Sequence, residues 1–130
     1  MSRAIRNQHR VVVTGLGVVS PIGVGLDEFW ERLKEGRNGI SRITHFNPSD
    51  FRSQMAAEVR NFNPEEWIDG KSAKRMDRFV HFSLASSAMA IKDAGLDTFP
   101  FDGNKAGVII GSGIGGAYTI ESGYADLYEK

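Results

Sequence analysis

The 130-residue chain is long enough for one modest domain and too short for two. Hydrophobic residues make up 41% of it and charged residues 25%, which is usual for a soluble globular protein. Lys plus Arg equals Asp plus Glu at 16 each, so no overall field attracts nucleic acid or an anionic membrane. The chain has no cysteine, which excludes disulfides, thiolate metal sites and thiol nucleophiles.

The amino terminus has the charge pattern of a signal peptide but not its apolar core. Arg3, Arg6 and Arg10 precede a mostly apolar stretch over residues 11–26. Glycine, proline and polar residues interrupt this stretch, which is also too broken to span a bilayer. The pattern therefore favours a cytoplasmic protein.

The first half of the chain predicts a strand, a helix and a second strand. Residues 11–13 are three valines without alternation, which is typical of a parallel strand buried on both faces. A helix is predicted over residues 26–35, ended by Gly36. Residues 37–52 are rich in turn signals and predict a connection, and a short strand is expected over residues 55–59.

The strongest helix prediction covers residues 72–94, where apolar and small side chains recur at spacings of three and four. Gly95 is expected to end this helix in the left-handed conformation, with Leu96 packing back on the last turn. A run of small side chains predicts close packing against another backbone: Ala85, Ser86, Ser87, Ala88 and Ala90.

The last third predicts a further strand and helix around a glycine-rich turn. Residues 106–110 repeat the composition of a buried strand, and an amphipathic helix follows Gly116. The alternation of strands and helices predicts an α/β fold with a mainly parallel sheet and helices on its faces. Since the sequence ends within this helix without a C-cap, we expect it to be cut from a longer chain.

The glycine turn, residues 111–116 (GSGIGG), matches the dinucleotide-binding pattern G-x-G-x-x-G between a predicted strand and helix. Such glycines bring a helix N-terminus against a pyrophosphate. The fingerprint belongs in the first βαβ unit, however, and needs an acidic residue about 20 positions on. Only 14 residues follow Gly116, so the pattern favours a packed turn. Residues 14–17 form a second sharp turn, with Ser20 where a third glycine would be needed.

Four cations, Lys71, Lys74, Arg75 and Arg78, fall on one face at the start of the predicted long helix. Cations at a helix N-terminus oppose the helix dipole by roughly 0.3–1 kcal/mol each. From the charges alone, two interpretations stay open: a solvated helix face, or a surface that docks an acidic partner.

The histidines and acidic pairs suggest no catalytic centre. His9, His45 and His81 show no ligand spacing, and we expect His81 to be a packing or surface residue. The pairs at residues 27–28 and 65–66 are typical of helix starts. No Ser-His-Asp triad can be assembled.

Four motifs together resemble the beta-ketoacyl-acyl-carrier-protein synthases of thiolase fold, particularly the elongating type II enzymes. They occur in the family's order and cover nearly the whole chain: residues 10–17, residues 20–23 with 39–40, residues 74–79, and residues 111–116. The resemblance implies that residues 1–130 are the amino-terminal portion of a thiolase-like α/β domain.

Enzymes of this family elongate fatty acyl chains by decarboxylative Claisen condensation with malonyl carried on acyl carrier protein. Their acyl-accepting cysteine and two assisting histidines lie downstream of the matched region. The resemblance therefore implies no catalytic residue, metal or cofactor in this chain, which alone should be inactive. For the full-length enzyme it implies a homodimer acting on acyl and malonyl thioesters, without nucleic acid or membrane partners.

Two sets of residues can be carried over from the family. The family's basic patch, which docks the acidic carrier protein, matches Lys71, Lys74 and Arg75, hereafter the basic segment. The glycine turn matches the segment that closes the acyl pocket near the dimer interface. Ile114 matches the residue there that helps to set acyl-chain length.

Three alternatives remain at this stage. A dinucleotide-binding oxidoreductase domain would need another strand with an acidic end beyond residue 130. A natural short protein could be a non-catalytic scaffold that binds carrier protein. The third alternative is a polyketide synthase relative, which the residues of the four motifs separate poorly from a fatty-acid enzyme.

Overall fold

The computed structural model describes residues 10–98 and 100–129, so Arg3, Arg6 and His9 lie outside the described residues. Its helices and strands, in chain order, are β1 Val19–Ser20, β2 Gly23–Val24, α1 Leu26–Lys34, β3 Ile40–Arg42, β4 Met55–Ala57, α2 Gly70–Ala73, α3 Arg78–Asp93 and α4 Ala117–Tyr128. Two short 3-10 turns cover Pro64–Glu66 and Gly103–Lys105.

The first antiparallel pair is a tight hairpin in which Val19 pairs with Val24 and Ser20 with Gly23. The Ser20 hydroxyl accepts hydrogen bonds from the N–H groups of Ile22 (3.3 Å) and Gly23 (3.2 Å) and donates to the Gly23 carbonyl (3.1 Å). A Cβ added to Gly39 would lie 2.7 Å from the Pro21 Cβ. The two parts of the second motif therefore pack on each other.

The second antiparallel pair joins β3 to β4, with Ile40 opposite Ala57 and Arg42 opposite Met55. The strand expected over residues 55–59 is confirmed over its first part. β3 lies inside the region predicted to be only a connection. The prediction missed this short strand because it directly follows Asn38-Gly39, a strong turn signal.

The parallel strands expected over residues 11–13 and 106–110 are not formed in the described part of the chain, where both sheets are antiparallel pairs. Val11 is 94% exposed and Ile109 is 99% exposed, so the prediction of burial on both faces is wrong for this structure. A strand of this composition needs hydrogen-bonded neighbours and helices on both faces. The described residues do not supply them.

α1 follows its sequence signals closely. Asp27 and Glu28 lie in its first turn, as predicted, and Glu28 accepts a hydrogen bond from the Val24 N–H (2.7 Å). The same carboxylate pairs with Arg32 (2.7 Å), whose guanidinium also donates to the Ile22 carbonyl (3.1 Å). Gly36, at φ 67°, ends the helix as expected.

The single helix predicted over residues 72–94 is two helices in the structure. α2 ends at Ala73, and α3 begins at Arg78 after Asp77, which has the extended conformation of an N-cap (φ −70°, ψ 156°). Asp is a poor interior residue and a favoured N-cap, so Asp77 divides the predicted helix. The far end is as predicted: Gly95 N–H donates to the Lys92 carbonyl (3.0 Å) and Leu96 N–H to the Ile91 carbonyl (3.0 Å).

The glycine backbone of the first motif packs closely against α3, at the part of the helix that carries small side chains, as predicted. A Cβ on Gly17 would collide with the Ser86 carbonyl oxygen and lie 2.9 Å from the Ala90 nitrogen. A Cβ on Gly15 would lie 2.7 Å from the Ala94 nitrogen. These contacts support the interpretation of residues 14–17 as a packing turn.

The core beneath α3 is small. Phe62 (9% exposed) meets Phe82 edge to face at 5.1 Å between ring centroids, and Ala85 is fully buried. The apolar side chains of α4, including Tyr118, Tyr124 and Leu127, are exposed. Among residues 10–98 and 100–129, no helix has the length and apolarity needed to cross a membrane.

Candidate functional site

The basic segment lies on α2 and the turn that follows it. Lys71 belongs to α2, Lys74 is its C-cap, and Arg75 comes next. All three side chains are exposed, and within the described chain none of them forms an ion pair. The structure therefore presents three uncompensated cations close together in sequence.

Each end of α2 is held by one contact. Asp69 caps its start by accepting a hydrogen bond from the Ser72 N–H (2.9 Å), and hydrogen bonds from the Ser72 side chain and backbone lower the pKa of that carboxyl. At its end, the His81 Nε2 lies 2.8 Å from the Ala73 carbonyl oxygen. His81 is thus a packing residue, as predicted, and it attaches α2 to α3.

Arg78 begins α3 and makes contacts within the chain, which corrects the predicted stripe of four cations on one helix. Its guanidinium donates to the Val59 carbonyl and lies over the Phe82 ring, with the guanidinium carbon 4.9 Å from the centroid. The break between α2 and α3 removes the helical spacing on which the stripe depended. A guanidinium that is held over an aromatic ring and bonded to a backbone carbonyl serves local packing more than docking.

The glycine turn lies against the first turn of α3. Gly115 takes φ 72°, and the Phe79 ring lies 3.8 Å from where a Cβ on Gly115 would be. Gly115 N–H donates to the Ser112 hydroxyl (3.1 Å). Next to it, a Cβ on Gly116 would collide with the Asp77 carboxylate. The third and fourth sequence motifs are therefore in direct contact.

Ile114 projects from this turn and is 83% exposed. A groove of about 520 Å³ lies nearby; it is lined by residues 17–19, by Phe79 and Phe82 with the following serines of α3, and by residues 109–112. Ile114 is not among its lining residues. The assignment of Ile114 to an acyl pocket stays a prediction, as does the docking role of the basic segment.

Sequence reasoning missed a buried carboxylate at the end of the β3–β4 pair. The Glu58 side chain is only 6% exposed and accepts hydrogen bonds from the Thr44 N–H (2.9 Å) and hydroxyl (2.8 Å). It also pairs with Arg60 at 2.9 Å. These bonds, led by the one from the Thr44 backbone, lower the pKa of Glu58 to about 2. No spacing signal in the sequence pairs Glu58 with Thr44.

A polar groove of about 290 Å³ lies beside Glu58, between the first hairpin, α1 and the β3–β4 pair. Its two arginines, Arg32 and Arg60, are each paired with a glutamate at 2.7 and 2.9 Å. Because each arginine is neutralised by its glutamate, these two pairs present no net positive charge to an anion. Across residues 10–98 and 100–129, no group of three His, Cys, Asp or Glu side chains could hold a metal ion.

Comparisons with known proteins agree with the motifs. Residues 8–130 match the family model described as "Beta-ketoacyl synthase, N-terminal domain". The proteins named 3-oxoacyl-[acyl-carrier-protein] synthase 2 from Synechocystis sp. and Coxiella burnetii are 46% and 45% identical to this chain over 95% and 92% of its length. The chain spans about 30% of the length of the first of these relatives and 29% of the second.

Solved structures give the same result. The ishigamide ketosynthase/chain length factor superposes with a TM-score of 0.73 at 31% identity, over 91% of this chain and 30% of that one. A beta-ketoacyl synthase from Burkholderia phymatum gives a TM-score of 0.54 at 33% identity, over 68% of this chain and 22% of its own. The thiolase-like α/β fold class is thereby confirmed, and neither the dinucleotide-binding alternative nor the scaffold alternative is supported. The chain belongs to the beta-ketoacyl synthase family, within that family's N-terminal domain.

Proposed function

We propose that this chain is part of an elongating 3-oxoacyl-[acyl-carrier-protein] synthase, which condenses an acyl thioester with malonyl carried on acyl carrier protein. Support comes from the match of residues 8–130 to the family model and from relatives of that name at 40–46% identity. The cysteine that accepts the acyl group must come from outside this chain, which has none. The full-length enzyme is proposed to be a cytoplasmic homodimer.

The basic segment is the proposed docking surface for the carrier protein. The observation that carries this role is that Lys71, Lys74 and Arg75 are exposed and lack carboxylate partners in the described chain. Such cations interact with an acidic partner at long range and raise its association rate. Arg78 has no part in docking, since its guanidinium is engaged by Val59 and Phe82.

The glycine turn and Ile114 are proposed to close one side of the acyl pocket. The turn has the glycines that allow close backbone approach, and Ile114 offers a branched apolar side chain to an apolar ligand. Its present exposure leaves that side chain available to a ligand or to further protein.

Charge reversal in a full-length synthase carrying this chain tests the docking role. Exposed charge pairs contribute about 0.2–1 kcal/mol each, so Lys74→Glu alone should weaken carrier binding only modestly. Lys74→Glu with Arg75→Glu replaces attraction with repulsion, and should reduce kcat/KM several-fold to tens-fold on a carrier-bound primer. The loss should diminish as salt is raised through the screening range.

Two comparisons separate docking from damage to the fold. A small acyl thioester primer, offered with a small malonyl thioester so that neither substrate is attached to carrier protein, should be used equally well by the double variant and the unsubstituted enzyme. Lys92→Glu makes the same charge change as Lys74→Glu at an exposed lysine in the last turn of α3, roughly 20 Å from its start. Equal losses of kcat/KM by the double variant on carrier-bound and carrier-free substrates would contradict the docking role. A loss for Lys92→Glu on the carrier-bound primer as large as that for Lys74→Glu would contradict it too.

A further inference from the structure

Asp77 is the N-cap of α3, yet its side chain does not cap that helix. Its backbone carbonyl accepts hydrogen bonds from the N–H groups of Val80 (2.9 Å) and His81 (3.2 Å). An N-cap aspartate ordinarily accepts a further hydrogen bond through its carboxylate, from an N–H group in the first helical turn. No such bond is formed in α3. The carboxylate is directed elsewhere.

The Asp77 carboxylate instead contacts the start of α4. One oxygen accepts a hydrogen bond from the Thr119 hydroxyl, and the other lies so close to Gly116 that a Cβ there would collide with it. Gly116 is the N-cap of α4 and has no side chain with which to cap it, and the first turn of α4 contains no acidic residue. A carboxylate from α3 therefore provides the negative charge that a helix N-terminus favours.

This contact joins two regions that the proposed function treats separately. Asp77 lies two residues after Arg75, the last cation of the basic segment. Its partner Thr119 lies three residues after the glycine turn, which carries Ile114. The Phe79 ring supports the same turn at Gly115. The first turn of α3 thus holds the glycine turn at two points while the basic segment leads directly into it.

We propose that Asp77 is a positioning residue that, through Thr119, fixes the glycine turn against the start of α3 and thereby sets where Ile114 meets the acyl chain. The inference rests on the proposed function, because it assigns Asp77 and Thr119 a part in acyl-chain selection by a synthase. Neither residue is proposed to contact the reacting atoms. Their effect passes through the backbone of the glycine turn.

The test is a double-mutant cycle in a full-length synthase carrying this chain. Asp77→Ala and Thr119→Val each remove one partner of the bond, and each should change the ratio of kcat/KM for long against short carrier-bound primers by roughly three- to ten-fold. Because both changes break the same interaction, the double variant should show no larger change than either single variant. Thr119→Ser keeps the hydroxyl and should keep the original ratio.

Ser122→Ala is the matched control. Its hydroxyl, one turn further along α4, donates to the Thr119 carbonyl (3.1 Å), so the change removes a helix hydroxyl without altering the bond to Asp77. The primer ratio should stay at the unsubstituted value. Hydrogen exchange gives a second readout: Asp77→Ala and Thr119→Val should reduce amide protection in the glycine turn and the first turn of α4, whereas Ser122→Ala should not reduce it in the glycine turn.

Three outcomes would overturn the positioning role of Asp77 and Thr119. If Asp77→Ala and Thr119→Val both leave the ratio of kcat/KM for long against short primers unchanged, the inference is overturned. It is also overturned if these variants lose kcat/KM equally on both primers and Thr119→Ser shows the same loss. Additive effects in the double variant also contradict it, since they would mean that the two residues act independently. An unsubstituted enzyme without condensing activity would instead overturn the proposed function, and this inference with it.

Discussion

Replacing Gly17 by alanine should destabilise the packing of the first motif on α3. Gly17 has no positive φ, so the backbone itself tolerates alanine. The obstacle is the α3 backbone: the new methyl group would collide with the Ser86 carbonyl and lie 2.9 Å from the Ala90 nitrogen. Backbone within a helix cannot move aside as a flexible side chain can. The segment containing Gly17 must therefore move away from α3.

The expected size of the effect follows from three contributions. Overpacking costs about 1–3 kcal/mol. Displacement also threatens the hydrogen bond from the Leu16 N–H to Asp93 Oδ2 (2.9 Å), and losing it would cost about 0.5–1.5 kcal/mol. Against these, alanine stabilises by about 0.4–1 kcal/mol because it restricts the unfolded chain. We therefore expect a net loss of about 0.5–4 kcal/mol.

Thermal unfolding of a full-length synthase carrying this chain measures the effect, with Gly103→Ala as the control. A Cβ on Gly103 would have no neighbour within 4 Å, and its φ is not positive. Gly103→Ala should leave Tm unchanged or raise it slightly, while Gly17→Ala should lower it by several degrees. Equal Tm values for the two variants would refute the reasoning from close backbone contact.

Two further predictions concern Glu58 and Ile114. The pKa of Glu58 is lowered from 4.5 to about 2 on folding, so its stabilising contribution is complete above pH 4.5 and disappears as the pH falls through about 2. Glu58→Gln should accordingly lower Tm at neutral pH, and its Tm should decline less steeply than that of the unsubstituted protein between pH 4.5 and about 2. An equally steep decline of Tm in the variant and the unsubstituted protein would contradict this. Ile114→Phe in the full-length enzyme should discriminate against long acyl primers by roughly 1–3 kcal/mol while sparing short ones. Equal slowing of both primer classes would assign Ile114 to packing alone.

Local signals in the sequence predicted helix ends well. Gly36 and Gly95 end α1 and α3 in the left-handed conformation, as their positions indicated. The small residues of α3 also predicted its contact with another backbone, although not that Gly15 and Gly17 would supply it. These features depend on few residues close in sequence, which is why a pattern can identify them.

Features that depend on distant partners were not predictable in the same way. The composition of residues 11–13 and 106–110 indicates buried strands, but a strand forms only where neighbours supply its hydrogen bonds. The placement of the Asp77 carboxylate at Thr119, 42 residues away, has no sequence spacing that reveals it. Arg78 was misassigned for a related reason: periodicity indicated one helix, whereas the capping preference of Asp77 divided it.

The central claim is that this chain is part of an elongating synthase, and product analysis tests it most directly. A full-length protein carrying residues 1–130 should be incubated with an acyl primer thioester and malonyl-carrier protein, and the carrier-bound product identified by mass spectrometry. The account predicts a 3-oxoacyl-carrier protein two carbons longer than the primer, with one CO₂ released for each condensation. Unchanged malonyl-carrier protein after incubation with a correctly folded enzyme, across short and long primers, would contradict it.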